Sequence, residues 1–400
     1  MPLDWIDRDG RIILVEKAVR TIPYGFLGVL FAIYLRQLGF AFVAIGVVIA
    51  LTTLSSAFYS LIASLVADRV GRRRTLVFFA LTDALAGGLL LLSTSWWAPI
   101  AAGIVGNMSV GTGEAGPYLS LEQAILPRTS DPKHRTLSFS VYNLAGYAAS
   151  SAGSLLAAVP QYSGSGPAAY RPLFLAYLVS GLLGAVLYST LSKRVERVPS
   201  TEVRRLVLSD ASKPVVLKLS ALFAVDSFGG GFIVSVIVSL YFYTRYSLDF
   251  TSLGLLFSAT QIVTALSFLV AARIAKRIGL LNTMVFSHIP SNILVALIPF
   301  APTEALAVGL LLSRQSLSQM DVPTRQSYVM GVVAETDRTP AAGITNVSRT
   351  FAGAPGQFLA GLAMASLWLG SPFVVAGSLK VVYDLALYKV FRKTKPYEEG

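Results

Sequence analysis

The sequence predicts an all-α membrane protein of about twelve transmembrane helices, arranged as two pseudo-symmetric halves of six. Three observations predict it. Of 400 residues, 54% are hydrophobic and only 14% charged, with a mean hydropathy of +0.64, whereas soluble domains carry about a quarter charged residues. Apolar runs of about 20 residues, the length that crosses ~30 Å of hydrocarbon, recur along the chain. The chain also matches itself at a nearly constant offset near 205 residues.

Taken in order, the spans of the first half fall at 17–38, 41–66, 73–94, 97–124, 136–159 and 172–191. Span 1 carries Arg20 with Tyr24 on the same face, and the segment WIDRDGRIILVEK before it is expected on the inner membrane surface. Span 2 ends in a dense charge cluster, and span 3 holds Asp83. Span 4 places Asn107, Gly111, Glu114 and Tyr118 four, three and four residues apart, which is one helical face. Residues 192–214 are polar and basic and read as a linker, with room for a short amphipathic helix on anionic headgroups.

The second set falls at 215–243, 251–274, 281–301, 304–330, 340–368 and 371–391. In span 7, Asp226 precedes Gly229-Gly230-Gly231, a run that weakens a helix and favours a bend or break. Span 10 repeats the four-three-four stripe with Arg314, Ser318, Asp321 and Arg325. Span 11 adds Asn346 and Arg349; span 12 adds Lys380 and Asp384, spaced to bridge along one helix. The domains expected are therefore a six-helix half at 1–191, a cytoplasmic basic linker at 192–214 and a second six-helix half at 215–400.

The internal match supports that division. Ala67–Thr75 (ADRVGRRRT) aligns with Ala275–Thr283 (AKRIGLLNT), and Gln123, Asn143 and Gly153 align with Gln326, Asn346 and Gly356. Parallel six-helix repeats with a solute site between them near mid-membrane are a known transporter arrangement.

The net charge of +12 is topological. With the N-terminus inside, 25 Lys and Arg fall on inner segments, three (Arg36, Arg171, Arg245) on outer loops, and five (Arg20, Lys218, Arg314, Arg349, Lys380) within spans. That asymmetry is the positive-inside rule and places both termini in the cytoplasm of an inner or plasma membrane protein, with no nucleic-acid partner. The charged first residues leave no visible cleavable signal peptide. The chain has no cysteine and only two histidines, which excludes disulfides, thiolate metal sites and His-rich metal centres. No nucleophile–His–acid set or phosphate-cradling Gly-Lys-Ser/Thr loop occurs, so neither an enzyme nor an ATP-driven pump is expected.

The cluster Ser64–Thr75, SLVADRVGRRRT, resembles the signature of the major facilitator superfamily (MFS) between transmembrane helices 2 and 3. Asp68-Arg69, Gly71 and Arg72-Arg73-Arg74 match, and Ser64 replaces the leading glycine. The resemblance implies the MFS fold and alternating access, with helices 1, 4, 7 and 10 lining a central cavity. It also implies a gating role for Asp68, Arg69, Gly71 and Arg72, with Glu122 at the end of span 4 assigned to pair with Arg72. An acid that caps a neighbouring helix and pairs with arginine suits such a gate. The second copy is degenerate: Lys276 stands for Asp68, and Leu280, Leu281 and Asn282 for the arginines. Family drug–proton antiporters often carry an arginine where this chain has Asn107, and a Gly-Pro-rich span 5 where this chain has Gly146 and Gly153 without proline.

Ionisable groups inside spans cost on the order of 3 kcal/mol and normally face a partner or an aqueous cavity. The cavity set is therefore Arg20, Tyr24, Asn107, Glu114, Asp226, Arg314, Asp321 and Arg349. Glu114 and Asp226 are read as proton or cation sites, and Arg314 and Arg349 as their neutralisers or as anion holders; the bland reading is internal salt bridges, Asp226–Arg349 or Glu114–Arg314. Asp83, His288 and the Lys380/Asp384 pair read as structural. The first functional reading is proton-coupled efflux of a small organic solute by a monomer without cofactor, the proton being the coupling ion. The alternatives are uptake or exchange of an organic anion, and a non-transporting receptor on the same fold.

Overall fold

The computed structural model describes residues 5–109, 116–130, 134–196, 208–334 and 337–394, without the side chains of Asp68, Arg135, Thr136, Leu269, Ala272 and Thr339. It is helical throughout, and the only β-type pairing among the described residues is a bridge between Ile6 and Ser130. In chain order the helices are α1 (Arg8–Gln37), α2 (Phe42–Val70), α3 (Arg72–Leu92), α4 (Trp97–Val105), α5 (Pro117–Ile125), α6 (Arg135–Leu155), the single turn α7 (Val159–Tyr162) and α8 (Arg171–Ser189). Then follow α9 (Lys213–Gly231), α10 (Ser235–Tyr246), α11 (Phe250–Ile278), α12 (Leu280–Leu297), α13 (Glu304–Ser318), α14 (Asp321–Gly331), α15 (Arg338–Ser366) and α16 (Ser371–Phe391).

Seven described helical segments are long and apolar enough to cross a membrane by themselves. The other expected spans are either broken, as α4/α5 and α13/α14 are, or loaded with polar side chains, as α6, α15 and α16 are. Such spans remain stable where neighbouring helices supply the polar partners that lipid cannot. Among the described residues, expected spans 4, 7 and 10 are interrupted. The glycine run at 229–231 ends α9 as its composition suggests.

Backbone contacts group the chain into two compact units, residues 1–201 with 235–261, and residues 202–234 with 262–400. In the first, α3 packs on α8, and α1 packs on α6, α8 and α10. Its core includes Leu76, Phe79, Tyr118, Leu121, Tyr142 and Tyr188. In the second, α9 packs on α15 and α12 on α16, around Phe223, Met284, Tyr328 and Tyr383.

The repeat in the sequence has a geometric cause in each unit. Gly71 and Gly279 have φ of 108° and 86°, which an L side chain rarely adopts, and each begins the helix after a sharp turn. Gly71 N donates to Ala67 O and its carbonyl accepts from Thr75; Gly279, Ala275 and Thr283 make the same bonds. The α1–α6 crossing is equally constrained: a Cβ on Gly153 would lie 2.0 Å from the Ile22 carbonyl oxygen. At the α9–α15 crossing a Cβ on Gly356 would lie 2.1 Å from the Phe228 carbonyl oxygen. Small residues let membrane helices approach this closely.

α1 is longer than the sequence suggested. It runs unbroken from Arg8, its N-terminus capped by Asp7 accepting from Gly10 N. Residues 8–17, expected on the membrane surface, therefore form the first turns of the spanning helix, and Glu16 and Lys17 are buried. At the far end of the linker Asp337 accepts from the Ser209 backbone and hydroxyl. Those hydrogen bonds, the hydroxyl's first, hold the Asp337 carboxyl below its usual range.

Candidate functional site

Each unit contains a buried polar centre. In the first it is built on α1, α5, α6 and α8. Arg20 is buried and donates from Nη2 to Glu122 Oε2 at 2.7 Å, from Nη1 to Tyr188 Oη at 2.7 Å, and lies 3.0 Å from Glu16 Oε2. Its guanidinium stacks 4.0 Å from the centre of the Tyr118 ring. Glu122 also accepts from the hydroxyls of Tyr142 (2.7 Å) and Tyr188 (2.6 Å), and Tyr188 is 2.5 Å from Glu16. Lys17 reaches the Tyr142 hydroxyl at 3.2 Å.

This arrangement revises the gate assignment. Glu122 pairs with Arg20, not with Arg72, because α5 turns it into the unit's core, where it is fully buried. Among the described residues, a carboxylate that meets the signature motif is Glu196, beyond α8. It accepts from the backbone N–H of Arg72 at 2.6 Å and of Arg73 at 3.2 Å, capping the N-terminus of α3. Arg72 and Arg73 in turn donate to the carbonyls of Ala124 and Leu191, and Arg69 is exposed. The side chain of Asp68 lies outside the described residues.

A second knot in the same unit centres on Asp83. It accepts from Tyr118 (2.7 Å), Tyr177 (3.0 Å), Tyr24 (3.4 Å) and the backbone N–H of Asn107 (2.8 Å). Asn107 lies just beyond the C-cap of α4, where the chain has left the helix and its N–H is free to bond Asp83, and its Oδ1 accepts from Ser56. Tyr24 and Asn107 thus serve the Asp83 anchor. Gly111 and Glu114, and with them the Glu114–Arg314 pairing, lie outside the described residues.

In the second unit the centre is Asp226 on α9, which is buried. Lys380 Nζ of α16 donates to its Oδ1 at 2.5 Å; Arg349 Nη1 (α15) is 3.6 Å, Arg325 Nη1 (α14) 3.9 Å and His288 Nε2 (α12) 4.0 Å away. The Asp226–Arg349 pairing expected from sequence is therefore present, within a larger cluster. Asp321 bonds Arg325 along α14. Lys380 reaches Asp226 instead of Asp384, because Asp384 is taken up by His288 Nδ1 and Asn292 Nδ2, each at 2.8 Å.

Charge is unequal here. Among the described residues, four basic side chains, Arg314, Arg325, Arg349 and Lys380, face three carboxylates, Asp226, Asp321 and Asp384. Arg349 is 25% exposed, and its Nη1 has no hydrogen-bond acceptor. Arg314 donates to Gln315, but among the described residues its Nε and the Ser318 hydroxyl one turn on are also without partners. Buried donors of this kind call for an acceptor.

Residues 18–357 match the family model described as Major Facilitator Superfamily. The chain belongs to that superfamily. It is an MFS membrane transporter, not an enzyme. A Saccharomyces cerevisiae relative named uncharacterized membrane protein YJR124C is 26% identical over 421 residues, covering 96% of this chain and 94% of the relative. Among solved structures, the nucleoside transporter NupG superposes with a TM-score of 0.75 at 16% identity, covering 97% of this chain and all of that one. The D-xylose-proton symporter gives 0.74 at 13% identity, over 97% and 98%. The human organic anion transporter MFSD10 gives 0.68 at 15%, over 95% and 99%. These likenesses establish the fold that the MFS chain shares with them.

Sequence reasoning missed Glu16, Lys17 and Glu196. Glu16 and Arg20 are four apart, which was a legible signal. Glu196 carried none, since its role depends on where α8 ends.

Proposed function

We propose that this MFS chain carries a small organic anion across the membrane by alternating access, with Arg314 and Arg349 as its charge-recognising groups. The observation that carries the reading is the excess positive charge of the Asp226 cluster, together with the unfilled donors on Arg314, Ser318 and Arg349. A carboxylate or phosphate oxygen would fill these donors, and a guanidinium is the side chain best shaped to receive it. Asp226 then acts as the counter-ion that keeps the empty site stable, with Lys380 as its close partner. The interruption of span 10 between α13 and α14, inside the same unit, agrees with a solute site there, because broken membrane helices are tolerated where they line a cavity. Glu114 is assigned to the same solute pathway on its position in span 4. The protein is read as a monomer with halves at 1–191 and 215–400 joined by the 192–214 linker, both termini being cytoplasmic.

The test is counterflow in proteoliposomes with labelled succinate, benzoate and glucose 6-phosphate beside uncharged uridine and xylose. We expect exchange of one or more of the anions, reduced at least tenfold in Arg349→Gln. Transport of uridine or xylose alone, equal in wild type and Arg349→Gln, would overturn the anion assignment.

A further inference from the structure

The hydrogen-bond count at Tyr188 points to a proton site that the anion reading does not use. A tyrosine hydroxyl has one hydrogen to donate and two lone pairs. The Tyr188 oxygen is 2.5 Å from Glu16 Oε2, 2.6 Å from Glu122 Oε1 and 2.7 Å from Arg20 Nη1. Arg20 must donate, and so fills one lone pair. The single phenolic hydrogen serves one carboxylate. The second short oxygen–oxygen contact needs a hydrogen of its own, and a carboxylic acid is the only group there that can bring one.

We propose that Glu16 and Glu122, bridged by the Tyr188 hydroxyl, share one dissociable proton and form the proton-loading site of this transporter. The inference rests on the transport reading for its role in a cycle, though not for the existence of the proton. Three oxygens in series hold two hydrogens. In one arrangement Glu16 Oε2–H donates to Tyr188, whose own hydrogen donates to ionised Glu122. In the other Glu122 holds the proton and Tyr188 donates to ionised Glu16. Moving both hydrogens together carries a proton from one carboxyl to the other with no movement of heavy atoms and no change in total charge.

The surroundings suit this role. Glu122 accepts from three donors, Arg20, Tyr142 and Tyr188, whereas among the described residues Glu16 has Arg20 and Tyr188 beside Glu122 itself, so the dissociable hydrogen rests on Glu16. From α1 the pair is faced by Lys17 and Arg20; from α5 by Tyr118; from α6 by Tyr142; from α8 by Tyr188; Tyr24 stands one turn beyond Arg20. With both carboxyls ionised the group of Glu16, Lys17, Arg20 and Glu122 is neutral; loading the proton makes it singly positive. A change of one charge on buried helices α1, α5, α6 and α8 can bias which face the unit prefers.

Infrared spectroscopy of the purified full-length protein in nanodiscs tests the proton directly and needs no substrate. At neutral pH the wild type should show a carboxylic-acid carbonyl band that is lost in Glu16→Gln and kept in Glu304→Gln, where the carboxylate is exposed. Should Glu16→Gln fail to fold, Tyr188→Phe keeps both carboxyls and removes only the bridge, and it should shift or abolish the same band. A band unchanged in Glu16→Gln, or in Tyr188→Phe, overturns the site. In the liposome assay, a pH gradient should drive flux of whichever probe the wild type carries, and Tyr188→Phe should keep counterflow while losing at least tenfold of that response. If the band behaves as expected but wild-type flux ignores the gradient, the proton is structural and the coupling role fails. A protein that moves no probe at all, with the band present, fails the anion reading and leaves the proton site standing.

Discussion

At the residue scale, the decisive feature is that charge in the second unit is compensated collectively. Asp226 is a single carboxylate surrounded by Lys380, Arg349, Arg325 and His288. Removing one partner of a buried pair costs about 3–5 kcal/mol because the other charge is left uncompensated. Asp226→Asn should therefore lower thermal stability sharply in detergent, and Asp226→Asn with Lys380→Met should recover much of the loss. A double variant no more stable than Asp226→Asn alone would show that the pair is not the unit of compensation. From sequence, Asp226 and Arg349 were legible as intramembrane charges that must find partners. That Lys380 takes the closest place was not, since its four-residue spacing to Asp384 offered a nearer partner in sequence. His288 and Asn292 occupy Asp384 from another helix, and no periodicity shows that.

At the scale of elements, glycines fix how closely helices cross. Gly153 meets the Ile22 backbone and Gly356 the Phe228 backbone with no room for a methyl group. Gly153→Ala and Gly356→Ala should each destabilise the protein by about 1–3 kcal/mol through overpacking, read as a lower melting temperature. Gly309→Ala, where a Cβ would meet open space, should leave it unchanged. The match of Gly153 with Gly356 in the internal repeat was visible in the sequence, and the reason for it is this contact. The start of α1 was misjudged for the opposite cause. Asp9, Arg11, Glu16 and Lys17 read as interfacial, but Ser192, Tyr188 and Tyr142 supply partners for Asp9, Glu16 and Lys17 in turn.

At the scale of the whole molecule, the proposed orientation rests on the distribution of Lys and Arg, and the chain offers a direct test because it has no cysteine. Exposed Ser163 lies in an outer loop and exposed Lys193 in the linker on this reading. In intact cells a membrane-impermeant maleimide should label Ser163→Cys, and should label Lys193→Cys only after permeabilisation. The reverse pattern would invert the assignment of both termini to the cytoplasm.

The sequence by itself determined the class and the two-fold repeat of the fold. Hydrophobic length and charge bias are local properties that one segment expresses alone. It also identified which charges lie in the membrane, because their cost there is local too. Only the tertiary structure decided who partners whom: Arg20 with Glu122, Glu196 with the start of α3, Lys380 with Asp226. The reason is that a buried charge needs a partner from whichever helix happens to reach it. That choice depends on crossing geometry among segments more than a hundred residues apart, which no spacing in the chain encodes.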